Sequence, residues 1–233
     1  MARRPIYIPN IESNEFVRTE FVEFTWHPGM ATSQRQKSIA ELHKAATTHG
    51  FCEHPLEISS KSPIDLGVQL SAFNLSLGIG SCDKKITVET AFQSSKVFRD
   101  GGPYIDLLDG TSRDAKGDPR IRNSGELLAF EFFGSKWPLN PRTAFYDWLY
   151  ISALRENAWA IDQLENYDAF TDIEFNPERS INCQAYSAAL FKSLKKRNLL
   201  DTALHNKSSF LDLVTGRPVS NAYENTCVQP GLF

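Results

Sequence analysis

The chain has 233 residues, 41% hydrophobic and 23% charged, the proportions of a globular protein large enough for a substantial core. Its net charge of −3 excludes a global basic field that would recruit nucleic acid and leaves only local contacts to a nucleic-acid-linked substrate. Aromatic residues at 12%, including 16 Phe, favour a well-buried core or an aromatic-lined pocket.

Residues 1–32 read as irregular, with partial alternation at Ile6, Ile8 and Phe16–Phe24 consistent with a strand before His27-Pro28-Gly29 breaks the pattern. Ser33 is placed to cap a helix running to about His49, with Ile39, Leu42 and Ala46 on one face and Gly50 as its stop. Pro55–Lys61 reads as a short strand entering a Ser-Ser-Lys-Ser turn, either an anion cradle of hydroxyls and amides or an ordinary polar turn. Leu66–Ile79 reads as a strand or strand pair, and residues 80–85 as a turn. Ile86–Arg99 reads as one amphipathic helix. Val88, Phe92 and Phe98, with Ala91 and Ser95, fall near one face, while Glu89, Gln93 and Lys96 form a polar stripe on another.

Gly101-Gly102-Pro103 ends that helix, and Asp106–Gly125 is charged and broken, with a short helix starting at Ser112. Leu127–Phe133 reads as a strand or buried segment, and Trp137-Pro138 begins a new unit. Thr143–Leu154 is a strongly apolar helix, continued by Trp159–Leu164, and Tyr167–Asn182 is an acidic loop. Cys183–Leu200 is the clearest amphipathic helix; its Lys192, Lys195, Lys196 and Arg197 suit the negative end of the helix dipole. A final helix near Ser208–Val214 precedes a loose tail after Gly216.

The nucleotide-binding glycine fingerprints, the HExxH motif, the EF-hand loop and the GxSxG elbow are all absent. The four cysteines are widely spaced without a CxxC pair, and the five histidines lack pairing at metal spacing, so neither a zinc ribbon nor a His-based metal site is expected. No run approaches the ~20 apolar residues of a membrane span, and no apolar signal region follows Arg3 and Arg4, so the chain reads as intracellular and cytoplasmic. What remains is carboxylate chemistry beside aromatic residues. Glu89 on the polar stripe and the Asp168–Glu174 segment make a helix-and-loop pair of acids. Such a pair suits cleavage of a glycosidic bond, where one carboxylate stabilises a sugar cation or activates water and an acid assists the leaving group.

At these residues the sequence resembles the NADAR (YbiA-like) family. Leu70-Ser71-Ala72-Phe73, then Val88–Lys96 (VETAFQSSK), resembles its LSNF-like segment followed by an SxEHxFQxxK-like helix. Ala115-Lys116 resembles its short Ala-Arg/Lys turn, Trp137 stands where the family places a tryptophan before its long helix, and Asp168-Ala169-Phe170 resembles its Asp-Ala-Tyr. Asn182 closes the loop before the last helix as the family's asparagine does. The resemblance runs from about Leu56 to Leu200. The segments FTWHPG, LEISSKS, AFYDWLY and FTDIEFNPERSIN look most like the branch encoded beside DarT-type toxins as an antitoxin. Ala72 and Thr90 depart from the family's asparagine and histidine, and the loop Glu174–Ile181 carries a proline and no glycine.

The resemblance implies an α+β, predominantly helical single domain with a small β component. A catalytic domain over 56–215 would follow an N-terminal extension over 1–55 packed on the core and precede a tail over 216–233. It implies N-glycosidase chemistry without a cofactor: removal of ADP-ribose from guanine bases in DNA, opposing a DarT-like toxin. An ADP-ribose-binding module without turnover and a housekeeping N-glycosidase of riboflavin-pathway intermediates are the alternatives. The family's catalytic glutamate maps onto Glu89. Its loop acid maps onto Asp168 by strict spacing, with Asp172 close by. Lys96 either holds Glu89 charged or attacks an opened ribose to give a Schiff base. Ser59, Ser60, Lys61 and Arg113 are expected at the diphosphate, Phe73, Trp137 and Phe170 either at stacked bases or in the core, and Ser71, Gln93 and Asn182 elsewhere in the ligand site.

Overall fold

The computed structural model describes residues 1–79, 84–178 and 180–215; the tail expected after Gly216 and most of the turn expected at 80–85 lie outside them. Strand β1 (Ala2–Pro9) pairs with β2 (Val17–Phe24) along their whole length, from Ala2 opposite Phe24 to Pro9 opposite Val17. The partial alternation at Ile6, Ile8 and Phe16–Phe24 therefore belongs to a hairpin, within a stretch otherwise expected to be irregular. After it comes helix α1 (Thr32–Thr48), preceded by Ala31 with no side-chain cap, so Ser33 lies inside the helix and does not cap it. Strand β3 (Pro55–Glu57) and strand β9 (Ala169–Thr171) complete a four-stranded sheet in the order β2-β1-β9-β3. The pair β3–β9 is parallel, and β1 meets β9 antiparallel at Tyr7 and Phe170.

Both faces of this sheet are covered. Ile6 and Ala169 pack on one side with Ile39, Leu42 and Ala46 of α1, whereas their neighbours Tyr7 and Phe170 enter the larger core on the other. Alternation along a strand sends successive side chains to opposite faces, so a strand buried twice reads as a continuous apolar run. β9, only three residues between Asp168 and Asp172, is too short to show such a run and is hidden inside the segment read as an acidic loop. Helix α8 (Gln184–Lys196) lies against β1 and β9.

Between β3 and β9 the chain builds most of the remaining elements. Helix α2 (Asp65–Gln69) and strand β4 (Ser76–Gly78) replace the strand or strand pair expected over 66–79, and β4 pairs with β5 (Lys85–Thr87). The helix expected over 86–99 is divided three ways. It begins as β5, becomes the seven-residue helix α3 (Val88–Ser94), and leaves as strand β6 (Lys96–Phe98). Thr87 starts α3 by accepting the Thr90 amide at 3.2 Å. Ser94 and Ser95 hydroxyls bond back to the Ala91 carbonyl at 3.0 and 2.7 Å. Pairing of β6 with β7 (Leu127–Phe132), itself paired with β8 (Ser135–Trp137), then overrides the helical period. Helices α4 (Ser112–Gly117) and α5 (Arg120–Asn123) fill the charged stretch before β7.

Helices α6 (Ala144–Arg155) and α7 (Ala158–Leu164) follow β8, and α9 (Leu200–His205) and α10 (Lys207–Val214) follow α8. The fold is α+β and mainly helical, as the sequence implied. Among the described residues no helix is long and apolar enough to cross a membrane. The aromatic residues account for much of the core: Phe130 lies 4.8 Å from Phe145 by ring centroids, and Trp137 lies 5.4 Å from Phe145 and 5.0 Å from Trp148. Lys192, expected to serve the dipole of its own helix, is buried and donates to the carbonyls of Leu164, Glu165 and Tyr167 after α7. It supplies the hydrogen bonds those carbonyls lack at a helix end.

Two fold contacts yield predictions. A Cβ on Gly67 would lie 1.9 Å from the Glu57 carbonyl oxygen and 2.4 Å from Ser62 Oγ. Gly67→Ala should therefore cost at least the roughly 1–3 kcal/mol of an overpacked core, measured by urea unfolding. Asp147 on α6 is buried, and its carboxylate accepts from Ser187 Oγ on α8 at 2.6 Å. Burial pushes its pKa from 3.8 up to about 7. The folded state thus holds a proton that the unfolded chain has released. This contribution is full below the unfolded value and is lost as pH rises through the folded one. Asp147→Asn should reduce the loss of stability between about pH 4 and 7; an unchanged pH profile would remove Asp147 from that account.

Candidate functional site

The loop after β3, the 71–75 loop, α3, β6, α4, α5, α6 and the segment leading into α8 converge on a cavity of about 380 Å³. Gln184 ties two of these walls together. Its amide Nε2 donates to the Ile58 carbonyl and its Oε1 accepts the Ala72 amide, both at 2.7 Å. The Ala72 carbonyl in turn accepts the Glu89 amide at 2.9 Å. Ser112 Oγ of α4 joins the network, donating to the Phe73 carbonyl at 2.9 Å and lying 2.7 Å from Thr87 Oγ1.

Glu89 stands in the first turn of α3, nearly buried. Gln93, one turn later, donates Nε2 to Glu89 Oε1 at 2.9 Å, and its own Oε1 is left buried without a partner. The ammonium of Lys116, on α4, lies 3.9 Å from Glu89 Oε1 and 5.0 Å above the Phe73 ring. Lys96 reaches the cavity from β6, with its Nζ 5.0 Å from the Phe92 ring centroid. Burial lowers its pKa to about 8; Glu89 opposes that shift and Lys116 adds to it.

On the other wall, Asp172 follows β9 and accepts the Glu174 amide at 3.0 Å. Burial, and then the charge of Glu57, push its carboxyl well above the usual range. Tyr146 of α6 completes this side, its hydroxyl held neutral by burial and by Glu89. Asn182 Oδ1 is buried with no partner. The arrangement sets Glu89, a carboxyl that holds its proton more tightly than usual, an amine that holds its proton less tightly than usual, and unpartnered amide oxygens around one space. Among the described residues, no group of three or more His, Cys, Asp and Glu is placed to hold a metal ion.

A family model described as DarT1-associated NADAR antitoxin matches residues 2–224. The chain belongs to that family. No curated protein matches it. The family match begins at β1, so it includes the hairpin and α1 as well as the Leu56–Leu200 stretch that carries the resemblance.

In this NADAR chain the cavity gathers Glu89, Lys96, Asp172, Ser59, Ser60, Ser71, Phe73, Gln93 and Asn182 from the residues expected there. Lys96 arrives on a strand, so the expected Glu89–Gln93–Lys96 stripe does not exist as one helix face. Of the two loop acids left open, Asp172 lines the cavity and Asp168 does not. Asp168 accepts the amides of Glu53 and His54 at 2.8 and 2.9 Å and fixes the chain before β3. Trp137 and Phe170 are fully buried core residues, the first in the aromatic cluster and the second on the central strand, so neither reaches a stacked base. Arg113 is exposed on α4 and Lys61 is half-buried, and neither lines the cavity. Lys116, Arg122, Tyr146, Glu174, Phe175 and Gln184 were not expected there. Lys116 was visible in the Ala115-Lys116 turn. Tyr146 sits in an apolar helix whose sequence marks no inward polar group.

The lowered Lys96 value gives a test of this electrostatic frame. Amine labelling of the intact protein should follow a titration near pH 8 at Lys96, absent in Lys96→Arg. In Glu89→Gln the midpoint should fall further, because the charge that raises it is gone. A midpoint left near that of an exposed lysine would refute the frame.

Proposed function

We propose that this antitoxin removes ADP-ribose from guanine bases in DNA, as a hydrolase of the bond between ribose C1 and the base nitrogen. The observation that carries this reading is a single cavity lined by Glu89, an acceptor fixed by Gln93, and by Asp172, whose carboxyl burial keeps protonated. Breaking the bond develops positive charge on the ribose, which a carboxylate stabilises, while the departing base nitrogen needs a proton. Glu89 faces the sugar cation or takes a proton from the attacking water. The water oxygen bonds to C1, the C1–N bond breaks, and Asp172 delivers its proton to the base. Lys116 and Arg122, with the exposed Ser60 hydroxyl, offer the diphosphate its counter-charges and a donor. Phe73 and Phe175 offer apolar faces to a base withdrawn from the stack.

The lowered pKa of Lys96 favours a second route at the same site. Its neutral amine attacks C1 of the opened ribose, expels the base nitrogen and leaves a Schiff base for water to cleave. Borohydride trapping of ADP-ribose on the wild type, but not on Lys96→Arg, separates this route from direct hydrolysis.

The activity is tested by incubating an ADP-ribosylated DNA oligonucleotide with the protein and measuring free ADP-ribose. Glu89→Ala and Glu89→Gln should each lower release by about 10²–10⁴-fold, the range for a positioned acid–base group. Full activity of Glu89→Gln would overturn the mechanism. Tight ADP-ribose binding without release would make the chain a binding module instead.

A further inference from the structure

Glu57 ends β3 with its side chain fully buried, outside the cavity and with no role in the reaction as drawn above. Parallel pairing sets it opposite Thr171 of β9. Its Oε2 accepts from Thr171 Oγ1 at 2.6 Å and its Oε1 accepts the Ile173 amide at 2.9 Å. These donors belong to the residues on either side of Asp172, so one carboxylate brackets the Asp172 backbone from both directions.

Behind this bracket, His43 of α1 lies 2.8 Å from Thr171 Oγ1 through Nε2. The threonine hydroxyl gives its proton to Glu57, so His43 is the donor and its Nε2 carries hydrogen. Burial lowers the His43 pKa to about 4, which keeps the ring neutral in this role. Every hydrogen bond in the chain points toward Glu57 and favours its charged form. Burial raises both carboxyls, Asp172 the further of the two. Two adjacent buried carboxyls do not both ionise, and with Thr171 and Ile173 donating to its two oxygens Glu57 is the one that keeps the charge, so the shared proton falls to Asp172.

We propose that Glu57 is a positioning residue that acts through Asp172, fixing that carboxyl at the cavity wall and holding on it the proton delivered to the leaving base. The proposal rests on the assignment of Asp172 as the acid. The other groups facing Asp172 are Arg4 and Tyr7 on β1, Tyr146 and Tyr150 on α6, Cys183 before α8, and Glu174 on its own loop. Burial keeps the tyrosines and the thiol neutral over the working range. Arg4 favours an ionised Asp172, while Glu174 joins Glu57 in opposing it.

Glu57→Gln in the full chain tests this, since the amide keeps the shape and removes the charge. The alkaline limb of the pH profile for ADP-ribose release should move at least about one unit lower, a loss of about tenfold in rate above the new midpoint. Carbon-13 NMR of the Asp172 carboxyl, assigned with Asp172→Asn, should show the same downward shift. Thr171→Val, which removes one donor to Glu57, should shift it in the same direction by less and serves if Glu57→Gln does not fold. An equal loss of rate at every pH, with an unmoved carboxyl midpoint, would overturn the proposal and leave Glu57 a purely structural residue. Full activity of Asp172→Asn would instead overturn the assignment of the acid, while the carboxyl titration still decides whether Glu57 holds its proton.

Discussion

The pairing of β3 with β9 joins Glu57 to Thr171 across 114 residues of chain, and the cavity depends on it. One strand of this parallel pair runs into the Ser59 and Ser60 turn and the other into Asp172, so two cavity walls leave the same end of the sheet side by side. Ala169 and Phe170 lock β9 from opposite faces, each into a different core. A strand buried on both sides has little freedom to slip, because a one-residue shift would exchange the two faces. The precision of the Asp172 position follows from that constraint.

Around the cavity, burial does the electrostatic tuning. The same removal from water raises Asp172, lowers Lys96 and holds Tyr146 neutral. The acid therefore keeps its proton to higher pH than in water, the amine gives its proton up at lower pH, and the phenol stays neutral. Hydrogen bonds then fix the carboxyls in place. Glu57 collects donors on both oxygens and Glu89 collects Gln93. Gln184 makes the frame rigid by spending both ends of its amide on main-chain groups of two different loops.

The long apolar helix α6, the amphipathic helix α8 and strand β7 were legible because each carries one period over enough residues to be distinctive. Glu89, Phe73, Gln93 and Asn182 were legible through the order of short motifs, and all of them line the cavity. The stretch 86–99 was not. Its spacing satisfies a helix throughout, yet the edge of β7 captures Lys96–Phe98 and turns the end of the stretch into a strand. Asp168 and Asp172 looked equivalent, since sequence does not say which of two nearby acids meets free backbone amides. Glu53 and His54 claim Asp168. Trp137 and Phe170 looked like stacking residues for the same reason: an aromatic side chain carries no mark of the face it will bury.

By itself the sequence determined the α+β class, most helices and the family, and singled out Glu89, which lines the cavity, because these rest on local periodicity and residue order. Tertiary structure alone decided that Lys96 comes from a strand, that Asp172 rather than Asp168 reaches the cavity, and that Glu57 stands behind it. Those outcomes depend on strand pairing between distant segments and on the desolvation of particular atoms. Neither quantity is a property of any short stretch of chain.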